Sequence, residues 1–138
     1  MANLKFATVL RNLKLDEIST YAGTSAILKI FSGTQPAGGG TETTTLAILT
    51  CDVTAFAPAA AGGVLTLNGI TADTAADASG TGTWFRVYQS DGTTWVMDGD
   101  ITTIAAGTGD MQLDDVAIVL NGTVSLSGPN TITGPNAA

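Results

Sequence analysis

The side chains in this chain that could do chemistry are few and mostly acidic. Asp98 and Asp100 form one close pair in "MDGDI", and Asp114 and Asp115 form another in "QLDDV". Paired carboxylates can divide acid and base roles, but only in a cleft whose environment drives their pKa values apart. Histidine is absent, which removes the commonest general base and the commonest metal ligand together. Lys5, Lys14 and Lys29 sit in no nucleophile motif with a neighbouring serine. The single cysteine, Cys51, lies in the apolar run "LAILTCDV"; it can form no intrachain disulfide and is expected to pack as a small hydrophobe. Asp73, Asp77, Asp110, Asp114 and Asp115 fall in or near expected loops, the kind of oxygen donor calcium prefers. No run has the spacing of an EF-hand loop, so these read as solvated turn aspartates, with calcium as the alternative. "PAGGGTETT" is rich in glycine but lacks the Lys-Ser/Thr of a phosphate-binding loop. The expectation is a protein that is not an enzyme and needs no metal or cofactor.

What remains is a constellation that could bind rather than react. "TWFRVYQSDGTTWVMDGDI" holds both tryptophans and Arg86. With Asp91 and Gly92 as a two-residue hairpin loop, Tyr88 faces Trp95, Val87 faces Val96 and Arg86 faces Met97. One face then carries Trp84, Arg86, Tyr88, Trp95 and Met97, and the other carries Phe85, Val87 and Val96. Arg86 is placed to stack on Trp84 or Tyr88. Both faces are substantially apolar, which suits a strand pair buried on two sides or lying at a subunit contact. An exposed set of Trp84, Tyr88 and Trp95 would instead make a platform for a sugar.

These residues must be positioned by strands. After Gly23, short apolar runs alternate with turn residues: residues 26–33, 45–53, 63–71, the hairpin at 83–101, then "MQLDD", residues 116–120 and "TVSLS". Seven to nine strands at such intervals predict an all-β domain, a β-sandwich or jelly roll of antiparallel strands. "LNGT" at 120–123 is a second hairpin signal; its match to a glycosylation sequon is read as a turn only. The one helical pattern covers residues 3–21, where Phe6, Val9, Leu10 and Leu13 follow 3–4 spacing and Ile18 extends the stripe. Asn3 stands as N-cap and Gly23 as the stop. Lys5 near the start and Asp16 and Glu17 near the end oppose the helix dipole, at a cost of about a few tenths of a kcal/mol each, so packing or a partner has to hold this helix. A single domain is expected over residues 1–138: the helix at 3–21, a sandwich body at 26–128 and a polar tail at 129–138.

Charge narrows the partners. Charged residues make up 12% of the chain, about half the usual share, while mean hydropathy is positive, so the chain is folded rather than disordered. The net charge of −7 disfavours direct contact with nucleic acid, which requires clustered Lys and Arg. Four of the five basic residues, Lys5, Arg11, Lys14 and Lys29, lie in the first thirty positions. The basic segment is expected to pack on its own acidic body or to dock on an acidic neighbour. No apolar run is long enough to span a bilayer, and "MANLKFATVLRNLK" lacks the apolar core of a secretion signal. The expectation is synthesis in the cytoplasm and no membrane partner.

The segments "LKFATVLRN", "LKIFSGTQPA" and "GTWFRVYQSDGT" followed by "VMDGDI", with a V-x-L strand near the end, together cover almost the whole chain. In this order they resemble a group of small tailed-bacteriophage virion proteins. The resemblance implies a place in the virion, most of all as a capsid decoration (cement) protein bound to the major capsid protein or other virion subunits. It also leaves the tail, neck or a fibre-associated carbohydrate-binding module as the other location. No catalytic residue is carried over by it, and the loop holding Gly38, Gly39 and Gly40 departs from the group's pattern. A homo-oligomer on the capsid surface follows as the expected state, with Lys5, Arg11, Lys14, Trp84, Arg86, Tyr88 and Trp95 as the candidate contact residues.

Overall fold

The run "WFRVY" is buried at every position, so its strand has to be covered on both faces and paired on both edges. In the structure, a computed structural model that describes residues 4–56, 60–126 and 130–133, that strand lies inside a six-stranded sheet. The chain runs through α1 (Thr8–Ala22), β1 (Ile27–Ser32), β2 (Thr44–Cys51), β3 (Val64–Thr66), β4 (Ile70–Thr71), β5 (Gly80–Thr81) and β6 (Trp84–Tyr88). It continues through β7 (Trp95–Thr103), β8 (Met111–Leu113), β9 (Ala117–Ile118) and β10 (Thr131–Thr133). The large sheet has the order β4-β2-β1-β6-β7-β8, and β10-β3 and β5-β9 form two small sheets. The protein is thus mostly β with one N-terminal helix. Not every strand is antiparallel, as expected from sequence: β8 runs parallel to β7, with Ile101 opposite Met111.

One face of the large sheet is the core. Leu28 and Ile30 of β1, Leu46, Leu49 and Cys51 of β2, Phe85 and Val87 of β6 and Met111 and Leu113 of β8 join Leu15 of the helix, Leu65 of β3 and Ile118 of β9 in one cluster. The small sheets and the helix close this face. Asn130 fastens the arrangement, its side chain accepting the Gln112 N–H at 2.8 Å and its carbonyl the Leu67 N–H at 2.9 Å. Beyond the short pairing with β4, the edge of β2 is capped by a loop. Asp77 N–H donates to the Leu46 carbonyl at 2.8 Å, and Ile48 N–H donates to Asp73 Oδ2 at 2.9 Å. An edge satisfied in this way offers no ladder to another chain.

Four expectations are corrected. The helix begins at Thr8 with Ala7 in the cap position and no capping side chain; the expected N-cap, Asn3, lies outside the described residues. Gly23 does end it, at φ +70° with its N–H on the Ser19 carbonyl. The face turned to the body is Leu15, Ile18 and Ala22, not the stripe of Val9, Leu10 and Leu13, which stays exposed. The body presents unpaired N–H groups there, and the helix meets them with polar side chains: Asp16 Oδ1 accepts Ala60 N–H at 2.7 Å and Asn12 Oδ1 accepts Gly63 N–H at 2.8 Å. "LNGT" does turn, with Asn121 at φ +63° and Gly122 N–H on the Val119 carbonyl, but it joins no hairpin. β9 pairs with β5 and Val124 pairs with Asp73. Residues 131–133, placed in the tail by the sequence, form β10 against β3.

Candidate functional site

The second face of the large sheet carries the residues singled out in the hairpin, and their geometry turns on one bulge. Tyr88 does face Trp95, but the register shifts between Val87 and Tyr88, so that Val87 faces Met97 and Arg86 faces Asp98. The loop is also longer than two residues. Gln89 N–H bonds the Thr94 carbonyl and Gly92 N–H bonds the Gln89 carbonyl, while Asp91 Oδ1 accepts Thr93 and Thr94 N–H at 2.8 Å each. The side-chain hydroxyl of Thr94 donates to Asp91 Oδ2 as well, and these bonds hold the exposed Asp91 carboxyl down to about 2.

The bulge converts an expected Arg–Met pairing into a buried fork. Arg86 Nε donates to Asp98 Oδ1 at 2.5 Å and Nη2 to Asp98 Oδ2 at 2.9 Å, the bidentate geometry that suits a guanidinium to a carboxylate. Arg86 is 3% exposed. Its Nη1 donates to the Gly40 carbonyl at 2.7 Å, and the guanidinium lies 5.2 Å from the Trp84 ring. Tyr88 donates its hydroxyl to Glu42, which also pairs with Lys29 Nζ at 3.3 Å. Trp95 Nε1 donates to Asp98 Oδ1 at 3.0 Å, and Trp84 Nε1 to Thr43 Oγ1 at 2.9 Å. The Trp84 ring stacks on Phe31 at 4.1 Å. The hydrogen bond to Asp98 raises Arg86 further above its ordinary value. Burial pushes the Asp98 carboxyl up, but the bond to and charge of Arg86 outweigh it and hold it below the usual range. Burial and Glu42 push the Tyr88 phenol up.

The glycine loop is the second half of this cluster. Gly38 and Gly39 lie against the Trp95 ring, so close that a Cβ would come within 3.3 and 3.2 Å of it. At Gly40 a Cβ would meet the Ala37 carbonyl at 2.8 Å and Pro36 at 2.9 Å. Residues 34–43 therefore fold down over the sheet, with Arg86, Glu42 and Thr43 as fasteners. The arrangement ties a loop to two hairpins through groups already paired with one another. Its chemistry is that of a clamp.

The candidate contact residues consequently divide. Trp84, Arg86 and Tyr88 are buried, so they form no exposed platform; Trp95 alone of that set reaches the surface, 42% exposed. Lys5 and Lys14 are exposed, Lys14 lying over the Phe6 ring at 4.1 Å. Arg11 is half-buried, donating to Thr8 Oγ1 at 2.9 Å with its guanidinium against Gly63. Glu42 was missed in the sequence, and Asp98 was singled out there only as half of a carboxylate pair with Asp100, not as the partner of Arg86. Their signal was available in Arg86 itself, because a cation in the middle of "WFRVY" requires a carboxylate opposite it.

The other chemistry-bearing groups are engaged locally. Asp73 accepts Ile48 and Ala75 N–H groups, and Asp115 accepts Ala117 N–H. Asp110 N–H bonds Asp100 Oδ1 at 2.9 Å, and burial together with the bond to Asp100 raises the Asp110 carboxyl. Among the described residues, no group of three or more acidic or thiol side chains could hold a metal ion. Burial raises the Cys51 thiol to about 11, which keeps it protonated. An open groove of about 360 Å³ is lined by Asp114, Asp115, Thr123 and Ser125 among others. Val119 lines it and is exposed, as is the adjacent Leu120. Among the described residues no helix is long and apolar enough to cross a membrane. The chain matches no family model, no curated protein and no solved structure.

Proposed function

We propose that this chain is a non-enzymatic structural subunit of a phage virion, acting by adhesion, most of all as a decoration protein that binds and stabilises the assembled head. The observation that carries this reading is the pair of apolar patches left on the surface with opposite charge around them. Val9, Leu10 and Leu13 are exposed on α1 between Lys5 and Lys14. Val119 and Leu120 are exposed beside Asp114 and Asp115. Apolar surface rimmed by charge marks a contact with another macromolecule. A protein that coats a lattice needs one surface for the shell and another for its own copies, and binding only to the assembled shell stabilises it by mass action. The clamp around Arg86 supports the same reading, since it spends the polar groups of the sheet's second face on rigidity. In this reading the two small sheets serve as the second layer of a sandwich over the core face.

Electron microscopy of particles purified with and without the protein tests it. Loss of shell density at symmetry-related positions is the expected result. Loss of a tail, neck or fibre feature replaces decoration with the alternative location, and identical particles overturn the virion role altogether.

A further inference from the structure

We infer that the extended segment ahead of α1 seats in the acidic groove at β9 of a second copy, so that copies of this chain join head to tail. The inference goes beyond the virion reading by naming what the groove receives, and it does not depend on that reading.

The groove calls for an occupant that is both apolar and cationic. Val119 lines it at 66% exposure, and Asp114 and Asp115 both stand in solvent. Asp115 accepts the Ala117 N–H, whereas no hydrogen bond or ion pair within the chain engages Asp114 among the described residues. Its volume of about 360 Å³ is in the range of small-ligand sites, which suits a short extended segment better than a helix about 10 Å across.

A second copy meets that description at one place. Arg86 is buried in its fork with Asp98, Lys29 pairs with Glu42, and Arg11 is half-buried against Gly63. Of the five basic residues, Lys5 and Lys14 are therefore the two that stand exposed. They belong to one end of the molecule, because Lys14 Nζ lies over the ring of Phe6, the residue next to Lys5. No carboxylate within the chain pairs with either of them among the described residues. Ahead of α1 the backbone is extended: the helix starts at Thr8, Ala7 has φ −56° and ψ 146°, and residues 4–7 lie in no helix or strand. Leu4, beside Lys5, is 64% exposed. This arm brings an exposed aliphatic side chain and two cations to a groove that holds an exposed valine and two carboxylates. In a chain with a net charge of −7, it is also the end by which a second copy approaches an acidic surface with attraction. Arm and groove are different surfaces, so the contact repeats from copy to copy, and it closes into a ring where the rotation between copies allows.

The test is the mass of the purified full-length chain by sedimentation and light scattering, at rising protein concentration and at low and high salt. The average is expected to climb above the 13.9 kDa of one chain as concentration rises, and to fall back when salt screens the pairs. Lys5→Glu and Asp114→Lys are each expected to weaken association about tenfold. Both side chains are exposed, so the circular dichroism spectrum should not change. The double exchange K5E/D114K restores association. An equimolar mixture of the two single variants restores it as well, because the intact arm of one chain meets the intact groove of the other. Leu13→Ser, on the helix face, leaves association as it was. A chain that stays single at every concentration, or an assembly indifferent to Lys5→Glu or to Asp114→Lys, overturns the inference. So does a double exchange or a mixture no better than the single variants, or an assembly broken by Leu13→Ser. No particle enters this measurement, so a failed contact and a failed virion role are told apart.

Discussion

The Arg86 face of the sheet and the outward face of α1 solve opposite problems. On the sheet, a cation, two carboxylates, a phenol and two indoles are drawn under a glycine loop, and each has a partner within the chain. On the helix, aliphatic side chains that would gain from burial are left in water, flanked by charges that do not pair with one another. The first region has spent its interaction capacity on its own fold, whereas the second has kept it. An aromatic or charged side chain is therefore a poor guide to a contact surface unless its partners are known. Where the groups are already satisfied, the region is architecture; where apolar surface remains, a neighbour is implied.

The contrast can be broken most severely at Asp98. Asp98→Asn leaves Arg86 buried without its counter-charge, and a loss of about 3–5 kcal/mol in unfolding free energy is expected from denaturant titration. Acid reaches the same pair. Because the folded carboxyl is depressed, the unfolded chain binds its proton more tightly, so the pair's stabilisation is complete above the ordinary aspartate range. It is lost as pH falls through the lower folded value. Asp98→Asn should remove that acid slope. Asp110, raised by burial and by Asp100, acts with the opposite sign and weighs against stability as pH climbs past the ordinary range.

A smaller effect is expected at Gly99, which stands opposite Phe85 on the other, core face of the sheet. A Cβ there would come within 2.5 Å of the Phe85 ring and 3.0 Å of Asp110, so Gly99→Ala should cost about 1–3 kcal/mol through overpacking. The smallest belongs to the helix: Leu13→Ala, measured where the chain is monomeric, is expected to change stability by no more than about 0.5 kcal/mol. A large loss there would mean that the helix face is packed after all, and the contrast would collapse. Fluorescence sharpens it from the other side. In Trp95→Phe the remaining indole, Trp84, is 0% exposed, and acrylamide should barely quench it.

Much of the clamp's framework was legible from residue pattern. The apolar alternation of β1 and β2, the paired strands of the hairpin, the Tyr88–Trp95 contact and the Gly23 stop all follow from local preferences. The bulge at the hairpin did not, because a two-residue loop on Asp91 and Gly92 has the stronger local signal. What shifts the register is the energy of burying Arg86 with Asp98, and that is a tertiary effect. The helix face was inverted for a related reason. Val9, Leu10 and Leu13 are the most apolar stripe, but the body offers α1 the N–H groups of Ala60 and Gly63, which Asp16 and Asn12 satisfy. The parallel placement of β8 lies beyond any periodicity, since a three-residue strand carries no directional mark. The virion resemblance rests on motif order, and its test is the particle.

The three glycines of the loop invite one last consequence. A stretch such as "PAGGGTE" ordinarily attracts proteases, yet here its backbone is anchored through the Gly40 carbonyl and its neighbours Glu42 and Thr43 to side chains of β6. Cleavage requires the segment to lift as a strip into the enzyme's groove, and lifting it means releasing Arg86 and Tyr88 in the same event. The loop and the hairpin beneath it should therefore open and exchange amide hydrogens as a unit, so that the most flexible-looking part of the chain survives digestion as long as the sheet does.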